Sequence, residues 1–334
     1  MPTIALPRRA ITVLLTAAGL AATGALANTP SAAEIAAYPS KPIRIVVPYT
    51  AGGFNDALAR AIAAQMQASM KQAVIIDNRA GAGTVTGTHA VARAAPDGYT
   101  LLEMPAAFAI NAALMPKLPY DSMKDFSFIT LVAKAPFLLI SNPSFPAKTV
   151  PELVKLAKAK PGSLSYSSTG NGGNAHLMGE MLKGMANIDV LHVPYKGAGP
   201  SMNDLISGQV QYSFATYAAA SGSIKAGRLR AIAVTSKERW SRMPELPTIA
   251  EAGYPRYDAI GWWGFAAPAG TPAPIVERLQ REINKALASK EVRAYLEPEG
   301  VEAVGSTPAE FRQHLQAEIA EYRKVIKSAG IQPE

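Results

Sequence analysis

The sequence predicts a mixed α/β fold with two domains, and three observations lead to that prediction. Short β-branched runs alternate with helical patterns along most of the chain, which is the arrangement of α/β proteins. The length of 334 residues suits two domains of about 100–200 residues each. No Pro/Ser-rich tether separates the two halves, which indicates that segments of the chain cross between the domains.

The composition is that of an ordinary globular protein. Hydrophobic residues make up 49% and charged residues 17% of the chain, which disfavours disorder and coiled coil. Because the chain has no cysteine, disulfides, thiolate metal sites and a catalytic cysteine are excluded. The formal charge is +8, but the basic residues form no cluster with interleaved aromatic residues. We therefore expect no nucleic acid as a partner.

The first 27 residues have the pattern of a secretory signal peptide. Arg8 and Arg9 precede an uncharged apolar stretch that ends in Ala25-Leu-Ala27, the small-residue pattern of a cleavage site. A membrane anchor is the alternative, but the stretch contains several threonines and glycines and is barely as long as a span of about 20 residues. We predict cleavage after Ala27 and export of the mature chain.

The elements follow one another in a regular order. The predicted strands, each a β-branched run bounded by turn residues, are 43–47, 74–77, 99–103, 126–133, 137–141, 164–167, 190–193, 210–214 and 229–234. Helical patterns at 55–70, 175–185 and 200–207 separate some of them, and the chain is almost wholly helical from Pro274 onward. The capping boxes Thr149-x-x-Glu152 and Thr307-x-x-Glu310 mark two helix starts. The second of these helices carries the apolar stripe Phe311, Leu315, Ile319, Tyr322 and Ile326.

The turn after the first strand has the composition of a ligand-binding loop. Residues 48–56 read Pro-Tyr-Thr-Ala-Gly-Gly-Phe-Asn-Asp. Gly52 and Gly53 let the backbone fold closely around a ligand, and Asn55 or Asp56 can cap the next helix. Open α/β sheets bind ligands at the carboxyl ends of their strands. A tight turn with a helix cap and no ligand explains this segment equally well when it is taken alone.

A second turn of the same type, residues 167–174, raises the odds of a ligand site. Ser168, Thr169 and Asn174 bring hydroxyl and amide groups onto a glycine-rich loop between a predicted strand and a predicted helix. Such groups, together with free backbone N–H groups, complement an oxyanion without a buried arginine. The alternative is a polar surface loop. Tyr195 and Lys196 belong to a further strand-end loop that is a candidate for closing on a ligand.

Enzyme and cofactor signatures are missing from the chain. Neither a G-x-S-x-G elbow, an H-E-x-x-H pair nor a Walker loop occurs, and residues 78–87 have the wrong glycine spacing for a dinucleotide loop. The four histidines lack metal-ligand spacing, and we interpret Glu180, four residues after His176, as part of a helical surface pair. One of the adjacent Trp262 and Trp263 is expected to face a core. We predict no catalytic residue, no metal site and no cofactor.

Six ordered motifs between residues 38 and 331 resemble those of one protein family. They are Pro39-Ser-Lys-Pro-Ile-Arg-Ile-Val-Val-Pro48, Ala51-Gly-Gly with Asp56 and Arg60, Asn78-Arg-Ala-Gly-Ala-Gly83, Ala95-Pro-Asp-Gly-Tyr-Thr-Leu-Leu102, His192-Val-Pro-Tyr-Lys-Gly197 and Ala267-Pro-Ala-Gly-Thr-Pro272. The chain is similar to the substrate-binding proteins of tripartite tricarboxylate transporters, also called the Bug family. Because the motifs extend over nearly the whole predicted mature chain, the resemblance is specific at the level of the family.

The resemblance implies a type II periplasmic binding protein fold, with two lobes joined by two crossover strands near residues 126–141 and 257–267. Lobe 1 would comprise residues 28–131 and 258–334, and lobe 2 residues 132–257. In this family a carboxylate is gripped in the cleft by backbone amides and short polar side chains. The implied ligand-binding residues are Tyr49, Thr50, Gly52, Gly53, Phe54, Asn55, Asp56, Ser168, Thr169 and Asn174, with Tyr195, Lys196 and Thr216 as further candidates.

Departures from the family pattern bear on the ligand. Phe54 stands where a small residue is usual, and Asn55 where threonine is common, which favours a narrower pocket or an apolar or aromatic ligand body. Residues 215–217 read Ala-Thr-Tyr where the family often has an acidic residue, which disfavours an amino-group contact. The predicted ligand is therefore a dicarboxylate or an aromatic carboxylate rather than an amino acid.

The resemblance implies that the protein is a receptor for a two-component membrane permease, and we expect it to be a monomer. Two alternatives remain open. The first is a ligand-dependent partner of a two-component sensor kinase, which would use the same pocket. The second is an exported hydrolase, which would need an activated nucleophile, and Ser168 is the residue to test for that role.

Overall fold

A computed structural model describes residues 31–170, 173–195 and 198–332 of the chain. The predicted signal peptide, residues 1–27, and Lys196 lie outside the described residues. Within the described ranges, no helix is long and apolar enough to cross a membrane.

The elements alternate as the sequence predicts. The helices of the described residues are α1 (Ala32–Ala36), α2 (Phe54–Met70), α3 (Val85–Ala92), α4 (Ala107–Leu114), α5 (Val150–Ala159), α6 (Asn174–Ala186), α7 (Ala198–Ser207), α8 (Tyr217–Lys225), α9 (Ala273–Leu287), α10 (Lys290–Glu299) and α11 (Pro308–Ala329). The strands are β1 (Ile43–Val47), β2 (Val74–Asn78), β3 (Thr100–Pro105), β4 (Phe126–Pro136), β5 (Leu138–Ser141), β6 (Ser165–Ser168), β7 (Leu191–Pro194), β8 (Tyr212–Ala215), β9 (Arg230–Val234), β10 (Ile260–Pro268) and β11 (Glu302–Ala303).

The strands form two sheets, which confirms the mixed α/β class. The first has six strands in the order β11-β4-β10-β3-β1-β2, and the second has five in the order β7-β6-β8-β5-β9. In the first sheet β1 is parallel to β2 and β3, while β10 is antiparallel to β3 and β4. In the second, β6 is parallel to β7 and β8, while β5 is antiparallel to β8 and β9. Each sheet therefore has a parallel part whose strands end at the same edge.

Both faces of each sheet are covered by helices, as buried parallel strands require. In the first sheet Ile45 and Val46, neighbours on β1, face opposite cores. Helices α2, α9 and α10 build one of these cores, and α4 and α11 build the other. The second sheet is covered by α5 and α6 on one face and by α7 and α8 on the other. Helix α11 lies against both α4 and α6, so it contacts elements of both sheets.

The chain crosses between the sheets twice. Strand β4 belongs to the first sheet and β5 to the second, and Phe137 is the residue between them. The return runs from β9 to β10. The two crossings are joined at Thr235, whose hydroxyl accepts from the Phe137 N–H at 2.8 Å and donates to the Phe137 carbonyl at 3.1 Å. The lobe bounds at 131/132 and 257/258 stay a prediction, and the change of sheet at these crossings is the observation that supports them.

The predicted helix starts are largely confirmed. Thr307 and Glu310 form a complete capping box at the start of α11. Thr149 accepts from the Glu152 N–H, but the Glu152 carboxylate accepts from the N–H of Lys148 instead of completing the box. The apolar stripe of α11 is buried, as predicted; its members are Phe311, Leu315, Ile319, Tyr322 and Ile326.

Candidate functional site

Two adjoining cavities lie between the two sheets. Their volumes are about 240 and 340 Å³, a size that suits small ligands. Both are lined by Tyr49, Ala107 and Phe137 and, from the second sheet, by Asn174 and Thr216. The cleft is thus built from strand-end loops and helix starts of both sheets, where the sequence places the candidate loops.

The larger cavity, here called the helix-end cavity, is lined by the starts of α6, α7 and α8. Gly173 is the N-cap of α6 and offers no side-chain acceptor, so within the described residues no N-cap side chain accepts from the first N–H groups of α6. Thr216 caps α8 by accepting from the Ala219 N–H. Among the described residues that line this cavity, none carries a charged side chain. Free N–H groups at helix starts favour anions without a cationic side chain.

Asn174 lines both cavities and carries an unsatisfied polar atom. Its Oδ1 is buried and has no hydrogen-bond partner in the described part of the chain. Because buried acceptors normally find a donor, this oxygen is a place where a hydroxyl, an amine or a water bound in the cleft would donate.

The smaller cavity, here called the aromatic cavity, is lined by Phe54, Trp263, Tyr217 and Phe137. The ring of Phe54 lies 4.5 Å from that of Trp263 and 5.6 Å from that of Tyr295, centroid to centroid. These contacts hold Phe54 as part of the wall, which agrees with the narrower, more apolar pocket predicted from its size.

The two adjacent tryptophans divide their roles, as expected of neighbours on a strand. Trp262 is fully buried, with its ring against Phe311 at 5.6 Å and its Nε1 donating to Glu318. Trp263 is half-buried and packs on Phe54 in the aromatic cavity. Trp262 therefore faces the core, and the ring of Trp263 faces the cleft.

Asp56 holds the first loop rather than lining either cavity. Its carboxylate accepts from the Gly52 N–H at 2.9 Å, from Asn78 at 3.0 Å and from Arg60 at 3.0 Å. The hydrogen bond from Arg60, helped by those from Gly52 and Asn78, holds the pKa of Asp56 at about 2. The expectation that Asn55 or Asp56 caps α2 is wrong, because the N-cap is Gly53 and no side chain caps that end.

Asn55 is oriented by a buried acid that the sequence reasoning missed. Its Nδ2 donates to Glu103 Oε1 at 2.9 Å, and Glu103 on β3 is fully buried. Burial raises the pKa of Glu103 to about 8, so this carboxyl is neutral at pH 7. Burial, with Glu103 nearby, also raises the pKa of Tyr49. The sequence feature that could have identified this buried acid is an acidic residue inside an otherwise apolar strand, Leu101-Leu-Glu-Met104.

Ser168 lies behind the cleft. It is 1% exposed, and its Oγ lies 2.9 Å from the Gly170 carbonyl and 2.7 Å from His192 Nε2. The His192 ring stacks on His176 at 3.8 Å. Burial, with His176 as a further cause, lowers the pKa of His192 to about 3. A histidine with so low a pKa is a weak general base, so this pair does not make an activated nucleophile.

Glu180 corrects another expectation. It is buried, whereas we predicted a helical surface pair with His176. Its carboxylate accepts from Tyr166 at 2.8 Å and from Lys183 at 2.7 Å. Sequence spacing alone did not show that this face of α6 packs against β6.

The structure brings together about half of the predicted site residues. Those that line one or both cavities are Tyr49, Phe54, Asn55, Thr169, Asn174 and Thr216. Those on the same loops that line neither are Thr50, Gly52, Gly53, Asp56, Ser168 and Tyr195. Tyr195 instead donates to Asp204 at 2.6 Å. Within the described ranges, no cluster of three or more His, Cys, Asp or Glu side chains is placed to hold a metal ion.

Two α/β sheets joined by two crossings, with a cleft lined from both, define a periplasmic binding protein fold. The chain belongs to the tripartite tricarboxylate transporter receptor family, TctC, whose model matches residues 58–331. Its members are binding proteins and not enzymes.

Relatives of known sequence and of known structure match most of this chain. The chain is 37% identical to protein BugT of Bordetella pertussis over 88% of this chain and 90% of that protein. Among solved structures it is similar to MatC of Rhodopseudomonas palustris with bound malate (TM-score 0.73, 32% identity, 86% of this chain and 100% of that one). It is also similar to R. palustris Rpa4515 with adipate (TM-score 0.76, 36% identity, 89% of this chain and 100% of that one). A third similar structure is that of the periplasmic binding protein BugD (TM-score 0.73, 33% identity, 89% of this chain and 100% of that one).

Proposed function

We propose that the protein captures a small organic carboxylate in the cleft between its lobes and delivers it to the membrane subunits of a tripartite tricarboxylate-type transporter. The observation that carries the proposal is the helix-end cavity, where the start of α6, with a glycine as its N-cap, meets a lining without charged side chains among the described residues. A carboxylate there would accept from backbone N–H groups. Asn55, Thr169, Asn174 and Thr216 are the proposed polar contacts.

The walls of the cleft and the ligands of two relatives support a proposal for the ligand class. Two solved relatives hold malate and adipate, which are both dicarboxylates. The aromatic cavity of this chain adds room for an apolar ring beside Phe54 and Trp263. We therefore propose a dicarboxylate or an aromatic carboxylate in preference to an amino acid.

Ligand capture is proposed to work by closure of the two lobes about the crossings at Phe137 and Thr235. The lobes, 28–131 with 258–334 and 132–257, would approach when a ligand bridges them. The closed form is the one that a membrane partner recognises. The protein acts as a monomer, in the periplasm, after cleavage following Ala27. Intact mass measurement of the protein recovered from a periplasmic extract tests the cleavage position.

A binding screen tests the proposed function. Thermal unfolding of the mature chain is measured with mono-, di- and tricarboxylates, aliphatic and aromatic, and with amino acids and sugars for comparison. A ligand that binds the folded state raises the melting temperature, so carboxylates are expected to raise it. Stabilisation by amino acids or sugars and by no carboxylate would contradict the proposal.

A variant ties the binding to the cleft. Asn174→Leu replaces the side-chain amide, whose Nδ2 can donate to a carboxylate, by an apolar group of similar size, so it is expected to weaken carboxylate binding about tenfold or more. Asn203→Leu on the exposed side of α7 is the matched control. Equal affinity in both variants would place the ligand elsewhere.

The alternative of a sensor-kinase partner uses the same pocket. The two differ in the membrane protein that the closed receptor binds, so ligand-dependent co-purification with permease subunits supports transport. Co-purification with a kinase ectodomain instead would support signalling.

A further inference from the structure

Both cavities meet the starts of α6 and α8, at Asn174 and Thr216, but among the described lining residues an acidic helix end occurs in the aromatic cavity alone. The helix-end cavity faces the starts of α6 and α8, where backbone N–H groups carry partial positive charge. The aromatic cavity faces the end of α10, through Glu299 and Val301. Glu299 is the last residue of α10, and Gly300 caps it with φ +70°. The carbonyls and the acidic side chain at this end are both negative.

Glu299 occupies a position that local rules disfavour. An acidic side chain at a helix C-terminus is repelled by the helix dipole. The last turn of α10 has no basic residue to offset Glu299 and Glu297. Glu299 is half-buried at the aromatic cavity. A residue that breaks a local rule at a cavity is a candidate for a functional role.

No cation offsets Glu299 within the lining. Among the described residues that line the two cavities, Glu299 is the one charged side chain, and the walls around it are largely aromatic and aliphatic. Arg242 lies nearby, but its guanidinium sits 4.7 Å from the Tyr217 ring and donates to the Glu297 carbonyl. A ligand carboxylate in the aromatic cavity would therefore meet a like charge in a partly desolvated place, without a compensating partner.

We infer that Glu299 determines specificity by excluding a second carboxylate from the aromatic cavity, which narrows the proposed ligand class from dicarboxylates and aromatic carboxylates to monocarboxylates whose far end is apolar or aromatic. The inference rests on the proposed function, since it assumes that one carboxylate binds in the helix-end cavity. A hydroxyl at the far end would be tolerated, because it donates to Glu299. This preference would set the chain apart from the relatives solved with adipate and malate.

Isothermal titration with matched ligand pairs tests the inference. Hexanoate and adipate have the same chain length, and 4-methylbenzoate and terephthalate have the same ring, and each pair differs by one carboxylate. The wild-type protein is expected to bind at least one monocarboxylate about tenfold more tightly than its dicarboxylate partner. In Glu299→Gln that ratio is expected to fall about tenfold through tighter dicarboxylate binding, with monocarboxylate affinity within about twofold of wild type.

Glu297→Gln is the control, because this exposed residue lies on the same helix end without lining either cavity. It is expected to leave both affinities unchanged. The melting temperature of ligand-free Glu299→Gln, compared with that of the wild type, shows whether the variant is folded. The inference is overturned if the wild type binds the dicarboxylates as tightly as their partners, or if Glu299→Gln leaves the ratio unchanged. Failure of every carboxylate to bind the wild type would overturn the proposed function as well.

Discussion

Glu103 shows how one buried side chain can serve the cleft without touching a ligand. Glu103 lies on β3, where it accepts a hydrogen bond from the side chain of Asn55, and it is fully buried. Its second carboxylate oxygen, Oε2, has no hydrogen-bond partner in the described part of the chain. Because burial raises its pKa from about 4.5 to about 8, the folded protein holds this proton far more tightly than the unfolded chain does. The resulting stability is fully present below about pH 4.5 and is lost as the pH rises through about 8.

Glu103→Gln is expected to remove the loss of stability that accompanies ionisation of this carboxyl. Between pH 6.5 and 9 the free energy of unfolding of the wild type should fall by about 2 kcal/mol more than that of the variant. This window avoids His192 and His314, whose lowered pKa values of about 3 and 4 affect stability below pH 6.5. Glu318, with a pKa of about 8, contributes equally to both proteins. Urea unfolding at several pH values measures the effect.

An exposed acid provides the comparison for that experiment. Glu277→Gln on α9 changes the same group at the surface and should follow the wild-type pH dependence. If Glu103→Gln and the wild type lose stability in parallel up to pH 9, the buried acid is ionised in the folded state and the argument fails.

At the scale of elements, the strands were predictable because their β-branched runs are bounded by turn residues; β1 matches the prediction at both ends. The elements at the end of the chain were less predictable. The pattern after Pro274 predicted helix almost throughout, and the two-residue strand β11 between α10 and α11 carries too few residues for any period. The residues of the candidate site also differed in how well the sequence predicted them. Loops at strand ends showed which residues meet at the cleft, whereas Glu299 and Tyr295 come from a distant helix that only tertiary packing brings to it.

The hydrogen bonds between Thr235 and Phe137, which join the two crossings, are expected to stabilise the fold. Thr235→Val removes the hydroxyl that accepts from the buried Phe137 N–H, so it is expected to lower the free energy of unfolding by about 1–3 kcal/mol. Thr235→Ser keeps the hydroxyl and should recover most of the loss. Equal destabilisation by the two variants in chemical denaturation would contradict the prediction, because Thr235→Ser keeps the hydroxyl and Thr235→Val keeps the methyl group.

At the scale of the whole molecule, a contact beside the cleft links the two sides. Gly300, at the end of α10, lies against the ring of Trp240, and a Cβ at this position would approach that ring to 2.5 Å. Arg242 donates to the Glu297 carbonyl and lies over the Tyr217 ring. The α10 end packs with elements of the first sheet and these partners with the second, so we expect the contact to stabilise the proposed closed arrangement.

Arg242→Ala is expected to weaken this contact. Loss of an exposed cation–π pair and its hydrogen bond should lower ligand affinity about three- to tenfold, mainly through faster dissociation. The melting temperature of the ligand-free protein should change little. Stopped-flow dissociation and calorimetry measure the effect, with Arg256→Ala, at another exposed arginine of the same region, as the comparison. Unchanged dissociation in Arg242→Ala would show that the contact does not hold the lobes together.

The placement of the tryptophans has a practical consequence. The chain has three tryptophans, and all lie at or beside the cleft: Trp262 and Trp263 at the aromatic cavity and Trp240 against Gly300. Intrinsic fluorescence should therefore respond to occupancy and to closure without any attached dye. Substituting Trp240 or Trp263 by phenylalanine in turn would separate the two optical signals, so the protein carries its own sensor for the solute it binds.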